Sequence, residues 1–236
     1  MQYLTELHAH TCEVSPCGDL TAGEVADRYL AAGYSTVVIS NHYTQSILES
    51  AGQTTEERVK FFLAPYYAMK EYAKDRLHVI LGCELRFTGS SNDYLIFGVT
   101  ESFLMEHPDL YSMNLKSFRA LADENGLLIV QAHPFRNGMN VVNPQFLDGV
   151  ETFNGHKGHE SRNTIAQAWA KLYNLIPTSG TDFHHPHQGC DAGIFTDSPI
   201  TNVRELIDVL KSRDYVLHCS GPRAEVEGIT DHSAKY

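Results

Sequence analysis

The sequence predicts an α/β protein with a mostly parallel sheet. Two observations predict it. Short apolar β-like runs alternate with amphipathic helix-like stretches along the chain, and polar, metal-capable residues recur where those runs end. Residues 2–7 form the first run, followed by a Pro- and Gly-containing loop at 15–19. A helix opens at Thr21, where Glu24 completes a capping box, and stops at Gly33. Residues 35–40 (STVVIS) read as a buried strand. Thr54 with Glu57 repeats the capping signal for a helix running toward Lys74, which Pro65 is expected to kink or split. Residues 78–83 and 93–99 (DYLIFGV) are strands. After a short acidic segment comes a helix over 114–125, ended by Gly126, and then strands at 127–131 and 150–153. In the helix around 160–174, Ile165, Ala168, Trp169 and Leu172 fall at i, i+3, i+4 and i+7, which predicts a core-facing stripe and makes Trp169 a core residue. A strand at 176–179 follows. Val203, Leu206, Ile207 and Leu210 give the last helix the same stripe before a strand at 215–219, and residues 220–236 show no period.

The chain has 236 residues, with 18 Lys+Arg against 29 Asp+Glu, a formal net charge of −11 and 13 histidines. This length suits one α/β barrel, and with neither internal repeat nor linker the expectation is a single domain over 1–236. A composition of 42% hydrophobic and 20% charged residues is that of a globular protein, which excludes a disordered or low-complexity chain. The acidic balance disfavours nucleic acid and anionic membranes as partners. The first residues lack a basic and apolar leader, and no apolar run approaches the ~18 residues of a membrane span, so the expected location is cytoplasmic. Cys12, Cys17, Cys83, Cys190 and Cys219 are odd in number with no CxxC pair, as expected of reduced thiols.

The strand ends carry the chemistry. They read Leu7-His8-Ala9-His10, Ser40-Asn41-His42, Gly82-Cys83-Glu84, Ala132-His133-Pro134 and Thr181-Asp182-Phe183-His184. In a parallel sheet or barrel the carboxyl ends share one face, so these groups converge. His8 and His10, two apart on an extended segment, point to the same side, and Asp182 with His184 repeats the arrangement. Imidazole with carboxylate suits Zn²⁺, Mn²⁺ or Fe²⁺, and Glu84 can bridge two ions.

Taken in order, these motifs resemble those of the PHP family, named for polymerase and histidinol phosphatase, over about residues 4 to 195. The resemblance implies a distorted (β/α)7 TIM-like barrel of the PHP type, two or three divalent metal ions (Zn, Mn or Fe) in its mouth, and phosphoester hydrolysis. By resemblance, His8, His10, Glu84 and Asp182 hold a first metal, Glu84 bridges to a second shared with His133, and His42 with His184 holds a third. Three departures stand out. Cys17 occupies the loop position where the family usually has His or Asp, and a thiolate can replace it as a ligand. The family's further histidine after the Glu motif has no match in Phe97-Gly98-Val99-Thr100. Asn41 replaces the usual Asp before His42.

Hydrolysis by metal-activated water assigns catalytic roles to Asp182 and His184, in proton transfer or as ligands. Arginine fits phosphate oxygens, and Arg136, three residues after His133, and Arg86, two after Glu84, can reach the mouth. Asn154, with His156, Lys157 and Arg162, follows the GVETFN strand on the same face as a further substrate-binding candidate. His185 and His187 extend the last motif, with a leaving-group role set against plain surface exposure; His78, His107, His218 and His232 lie outside the pattern. The expected substrate is a small phosphorylated molecule. Two other readings stay open: a non-catalytic metal-binding regulatory domain, and an amidohydrolase-like metal hydrolase, whose barrel normally uses a metal-bridging lysine that these strand ends do not offer.

Overall fold

A computed structural model describes residues 2–219. The elements in order are β1 (Tyr3–Ala9), α1 (Ala22–Ala31), β2 (Thr36–Ile39), β3 (His42–Tyr43), α2 (Gln45–Ala51), α3 (Thr55–Ala73), β4 (His78–Leu85), β5 (Tyr94–Phe97), α4 (Glu101–Glu106), α5 (Leu115–Asn125), β6 (Leu128–Gln131), β7 (Gly149–Asn154), α6 (Asn163–Tyr173), β8 (Ile176–Gly180), β9 (Ala192–Thr196), α7 (Val203–Ser212) and β10 (Val216–Cys219). The strands form one sheet in the order β10-β9-β1-β2-β4-β5-β6-β7-β8, with β3 beside β4. A parallel bridge between Ala9 and Phe183 brings the chain after β8 back to the end of β1. The sheet is thereby a nearly closed, distorted α/β barrel, and the ends of β1, β4 and β8 meet on one face.

Local signals place the helices as the sequence predicts. Thr21 with Glu24 and Thr54 with Glu57 form complete capping boxes on α1 and α3, and Gly126 ends α5 in the left-handed region at φ 67°. Successive β2 residues alternate between packing layers. Val37 and Ile39 belong to the buried cluster that includes Val25, Ala26 and Tyr29 of α1, whereas Val38 belongs to the one that includes Leu206 and Leu210 of α7. Gly180 permits a close approach: a Cβ there would lie 2.5 Å from the His8 Cβ and 2.8 Å from Glu151 Oε1.

Besides the short elements β3, α2 and α4, which the periodicity does not reveal, the structure departs from the sequence-based expectations in three places. First, α3 runs unbroken through Pro65. Burial of Val59, Phe62, Leu63 and Met69 along the helix offsets the roughly 3 kcal/mol a helix-interior proline costs. Second, α6 buries Ala166 and Ala170, while Ile165 is 48% and Leu172 71% exposed, Ala168 is exposed and Trp169 is only partly buried. The small alanine face lets α6 lie close to the sheet, and tertiary fit overrides the bulkier apolar stripe. Third, the sheet is more mixed than expected. β5 is antiparallel to both β4 and β6, and β9, a strand the periodicity does not reveal, is antiparallel to β1 and β10. The reversal of β5 turns its first residues, not its last, toward the functional face. Among the described residues, no helix is long and apolar enough to cross a membrane. His232 and the segment without a period lie outside the described residues.

Candidate metal centre

Six of the predicted side chains meet at the carboxyl end of the barrel: His8 and His10 from the end of β1, Glu84 from β4, His133 after β6, and Asp182 and His184 after β8. All are buried. His42, half-buried at the start of β3, joins them. Three donor sets are compact enough to hold an ion, their ligand atoms lying within 4.8 Å of one another: His8, His10 and Asp182; His8, Glu84 and His133; and His10, His42 and His184.

The hydrogen bonds behind these rings fix which nitrogen faces inward. His8 Nδ1 donates to Glu151 Oε1 at 2.9 Å, and His184 Nδ1 donates to the Asp182 carbonyl at 2.8 Å. Ser15 Oγ donates to Asn41 Oδ1 at 2.9 Å and so accepts from His10 Nδ1 at 3.2 Å. Asn41 also takes the Thr11 N–H at 2.8 Å, so the residue that replaces the usual Asp still braces the loop that orients His10. With each Nδ1 protonated, the Nε2 lone pairs of His8, His10 and His184 are left for the centre, the arrangement expected of metal-ligating histidines.

Nε2 of His8 and of His10 are 3.1 Å apart. Two lone pairs at that separation repel unless a cation lies between them, and an ion about 2.1 Å from each would see them at about 95–100°. Glu84 presents one oxygen to each side. Its Oε1 lies 3.4 Å from His8 Nε2 and 3.1 Å from His133 Nε2, and its Oε2 lies 3.5 Å from His10 Nε2 and 2.6 Å from His42 Nδ1. Asp182 Oδ1 is 3.4 Å from both His8 Nε2 and His10 Nε2. Glu84 Oε2, Asp182 Oδ1 and His42 Nδ1 are buried without a well-formed hydrogen bond. Buried polar atoms normally have partners, so orphans converging on one space fit a divalent cation.

The electrostatics agree. Burial alone lowers the basicity of His8, but the Asp182, Glu151 and Glu84 carboxylates reverse this and raise its pKa well above the ordinary value. Burial and the neighbouring His184 and His42 push His10 well below it. Burial opposes ionisation of Glu84 and Asp182, yet the surrounding histidines hold both well below the usual carboxylate range. The centre thus requires positive charge. Cys17, exposed on its loop, has Sγ 3.3 Å from His42 Nε2. Burial of its sulfur raises the thiol, but hydrogen bonds from His184 and His42 dominate and lower it to about 6. A thiolate beside two imidazoles is a good ligand for zinc.

The face opens into a cavity of about 390 Å³ lined by Cys17, His42, His133, His184, Arg86 and Arg136, together with His156, His159 and His185. Arg86 forks onto Asp93 at 2.6 and 2.7 Å, and Arg136 reaches the same carboxylate at 3.3 Å. Asp93 immediately precedes β5, so it reaches the mouth because that strand is reversed, and its Oδ2 lies 3.8 Å from His133 Nε2. Two cations sharing one anion leave net positive charge beside the centre. A larger hollow of about 530 Å³ lies at the opposite ends of the strands, among Asp148, Ile176, Lys211 and Arg213, remote from these donors.

Asn154 is buried, its amide donating to Glu151 Oε2 at 2.9 Å and Asp182 Oδ2 at 3.1 Å, so it orients carboxylates instead of facing the cavity. Arg162 is engaged with the Phe135 carbonyl and Asn137, and Lys157 is exposed near Asp191. His185 bonds Asp19, and His187 stacks on His185.

Glu151 and His159 escaped the sequence reading. Glu151, the one charged residue of β7 (GVETFN), is 1% exposed in a strand buried along most of its length. An acid in such a strand needs a buried partner, and that was the available signal. His159 sits in a loop without periodicity and offered only its residue type. Two site residues have left-handed backbones, His133 at φ 29° and Asp182 at φ 49°. Such strain persists where neighbours over-determine it. Glu151 Oε2 holds the His133 N–H at 2.9 Å, and Gln188 Nε2 donates to the Asp182 carbonyl at 3.2 Å.

Comparison with known proteins extends this picture. The fold is similar to that of a two-domain protein of Bacteroides vulgatus ATCC 8482 containing a predicted PHP-like metal-dependent phosphoesterase, at 15% identity and TM-score 0.70, covering 93% of this chain and 65% of that one. The chain therefore spans about two thirds of that protein's length. It is also similar to PsfC of Pseudomonas syringae PB-5123, at 12% identity and TM-score 0.64 over 87% of this chain and 88% of that one. A third similar structure is an amidohydrolase of Chromobacterium violaceum with bound sulfate and no metal, at 14% identity and TM-score 0.54 over 88% of this chain and 97% of that one. No curated protein sequence matches. The PHP domain model matches residues 6–219, from Glu6 beside the first histidine pair to the end of β10, and the chain belongs to the PHP family.

Proposed function

We propose that this protein hydrolyses a phosphoester bond of a small phosphorylated molecule, using water activated at a centre of two or three divalent ions. The observation that carries this reading is the convergence of His8, His10, His42, Glu84, His133, Asp182 and His184 on one centre, next to a cavity that Arg86 and Arg136 also line. In this reading His8, His10, Glu84 and Asp182 hold a first ion, Glu84 and His133 contribute to a second, and His42, His184 and Cys17 hold a third. The donors suit Zn²⁺, Mn²⁺ or Fe²⁺. When bound, the ions supply electrophilic stabilisation of phosphoryl charge and lower the pKa of water.

The chain's own residues do the rest. Arg136 and Arg86 receive the phosphate oxygens through the N–H groups that Asp93 does not hold, and their positive charge draws the anion into an otherwise acidic protein. Glu151 and Ser15 hold His8 and His10 with Nε2 inward. Asp182 accepts a proton from the attacking water or acts as a ligand only, and His184, its Nδ1 held by the Asp182 carbonyl, uses Nε2 either to move a proton at the mouth or to hold an ion. The cavity of about 390 Å³ suits a small substrate. The chain acts as one metallohydrolase domain over residues 1–236 and works in the cytoplasm.

An amidohydrolase-like reading has the Chromobacterium structure as its support, but none of the residues lining the cavity is a lysine. The regulatory, non-catalytic reading predicts bound metal without turnover. One experiment separates all three: metal content of the purified protein, followed by release of nitrophenol from nitrophenyl phosphate and bis-nitrophenyl phosphate and of ammonia or amine from generic amides. Phosphoester cleavage that tracks metal supports the proposal. Amide cleavage alone, or metal without turnover, overturns it.

A further inference from the structure

His159 lies in the loop between β7 and α6. Its Nε2 is shielded from solvent, lacks a hydrogen-bond partner, and stands 3.7 Å from Asp182 Oδ2. That distance is too long for a hydrogen bond, yet an ion about 2.1 Å from each atom would see them at about 120°, an ordinary ligand angle. The neighbouring donors complete the picture. Asp182 Oδ2 is 4.0 Å from His133 Nε2, and His133 Nε2 is 3.1 Å from Glu84 Oε1. Asp182 thus divides its oxygens as Glu84 does, with Oδ1 toward His8 and His10 and Oδ2 toward His133 and His159.

The loop that presents His159 is built, not slack. Asn154 Oδ1 accepts from His156 N at 3.1 Å and from Ser161 Oγ at 3.2 Å, closing the loop on itself. Arg162, left-handed at φ 50°, donates to the Phe135 carbonyl and to Asn137 Oδ1, both at 2.6 Å, which ties the loop to the segment following His133. The His156 ring stacks on His159 at 4.2 Å with an 8° tilt between planes, holding its orientation. The ring lines the cavity, but its Nε2 is shielded and turned toward the Asp182 carboxylate, where a cation can lie between the two atoms.

We propose that His159 is a ligand of the second divalent ion, completing with Glu84, His133 and Asp182 a site for which the family's usual further histidine is missing from this chain. The inference rests on the metal-centre reading above and extends it to a residue outside the strand-end motifs. Since this ligand comes from a loop, the affinity of the second ion depends on the order of residues 155–162.

The test is Mn²⁺ binding to the metal-stripped full chain by equilibrium dialysis, with electron paramagnetic resonance of the loaded protein, comparing wild type with His159→Ala and His159→Gln. Thermal melting in chelator confirms that each variant folds, and the glutamine variant keeps a polar side chain in place. The expected result is one Mn²⁺ equivalent lost, or weakened at least a hundredfold, and a spin-coupled pair signal replaced by that of isolated ions. Variants that bind as many ions within threefold of the wild-type affinity and keep the coupled signal overturn the role of His159 alone. A wild type that retains neither Mn²⁺ nor Zn²⁺ overturns the metal-centre reading beneath it.

Discussion

Glu151→Gln keeps the shape of a buried side chain and removes its charge, and the hydrogen bonds around it leave glutamine no good orientation. Oε1 accepts from His8 Nδ1 at 2.9 Å, while Oε2 accepts both the His133 N–H and the Asn154 amide at 2.9 Å. If the new NH₂ group faces His8, that ring must carry its proton on Nε2, the atom aimed at the centre. If the amide turns over, the NH₂ group meets two donors, and an unpaired buried polar group costs about 1–3 kcal/mol. Loss of such a partner behind a metal-ligating histidine typically lowers affinity about 10–100-fold, or about 1.4–2.7 kcal/mol. The assay is competition for Zn²⁺ between the metal-stripped protein and a chromophoric chelator, with circular dichroism as the fold control. Nitrogen-15 spectra of His8 report the tautomer. A folded variant that binds Zn²⁺ within twofold of wild type, with His8 still protonated at Nδ1, would refute the reasoning.

Three further outcomes follow from the same geometry. Glu6 is fully buried and accepts from Leu7 N, His8 N and Thr181 N, and burial, only partly offset by those bonds, raises its pKa from 4.5 to about 7. The folded state therefore holds this proton more tightly than the unfolded one. The resulting stability is fully present below pH 4.5 and is lost as pH rises through about 7, by about 3 kcal/mol. Denaturant titrations in chelator should show Glu6→Gln gaining on wild type by about that amount over this range; a flat difference contradicts it. Arg136→Ala should raise KM for a phosphomonoester about tenfold to a hundredfold with a smaller change in kcat, since charge-assisted hydrogen bonds contribute about 1.5–3 kcal/mol; an unchanged KM removes Arg136 from substrate binding. Cys17→Ser should lower the preference for Zn²⁺ over Mn²⁺ at least tenfold in competition dialysis, because a soft thiolate favours zinc; an unchanged ratio excludes Cys17 as a ligand.

Much of the candidate centre was legible in the sequence because strand geometry is local. His8 with His10, and Asp182 with His184, project together by their two-residue spacing, and parallel strands bring such ends to one face. The capping boxes at Thr21 and Thr54 are legible for the same reason. The direction of β5 is not encoded in its own residues: an apolar run such as DYLIFGV suits a buried strand of either direction, so a parallel reading puts the functional end at Phe97-Gly98-Val99-Thr100, whereas Asp93 is the residue at the mouth. On α6, the bulky stripe of Ile165 and Leu172 outweighed two alanines in the pattern, but only the alanines fit against the sheet. Glu151 and His159 matter through partners more than 15 residues away, His8 and Asp182, and such pairings emerge only when the barrel closes.

The most direct test of the central claim is phosphate release from a phosphomonoester by metal-loaded and metal-stripped protein, measured alongside bound metal in wild type, His8→Ala and Asp182→Ala. The account predicts two or three divalent ions per wild-type chain, hydrolysis that disappears with chelation and returns with Mn²⁺ or Zn²⁺, and loss of the first ion together with activity in both variants. Hydrolysis that survives both substitutions and the removal of metal would contradict it.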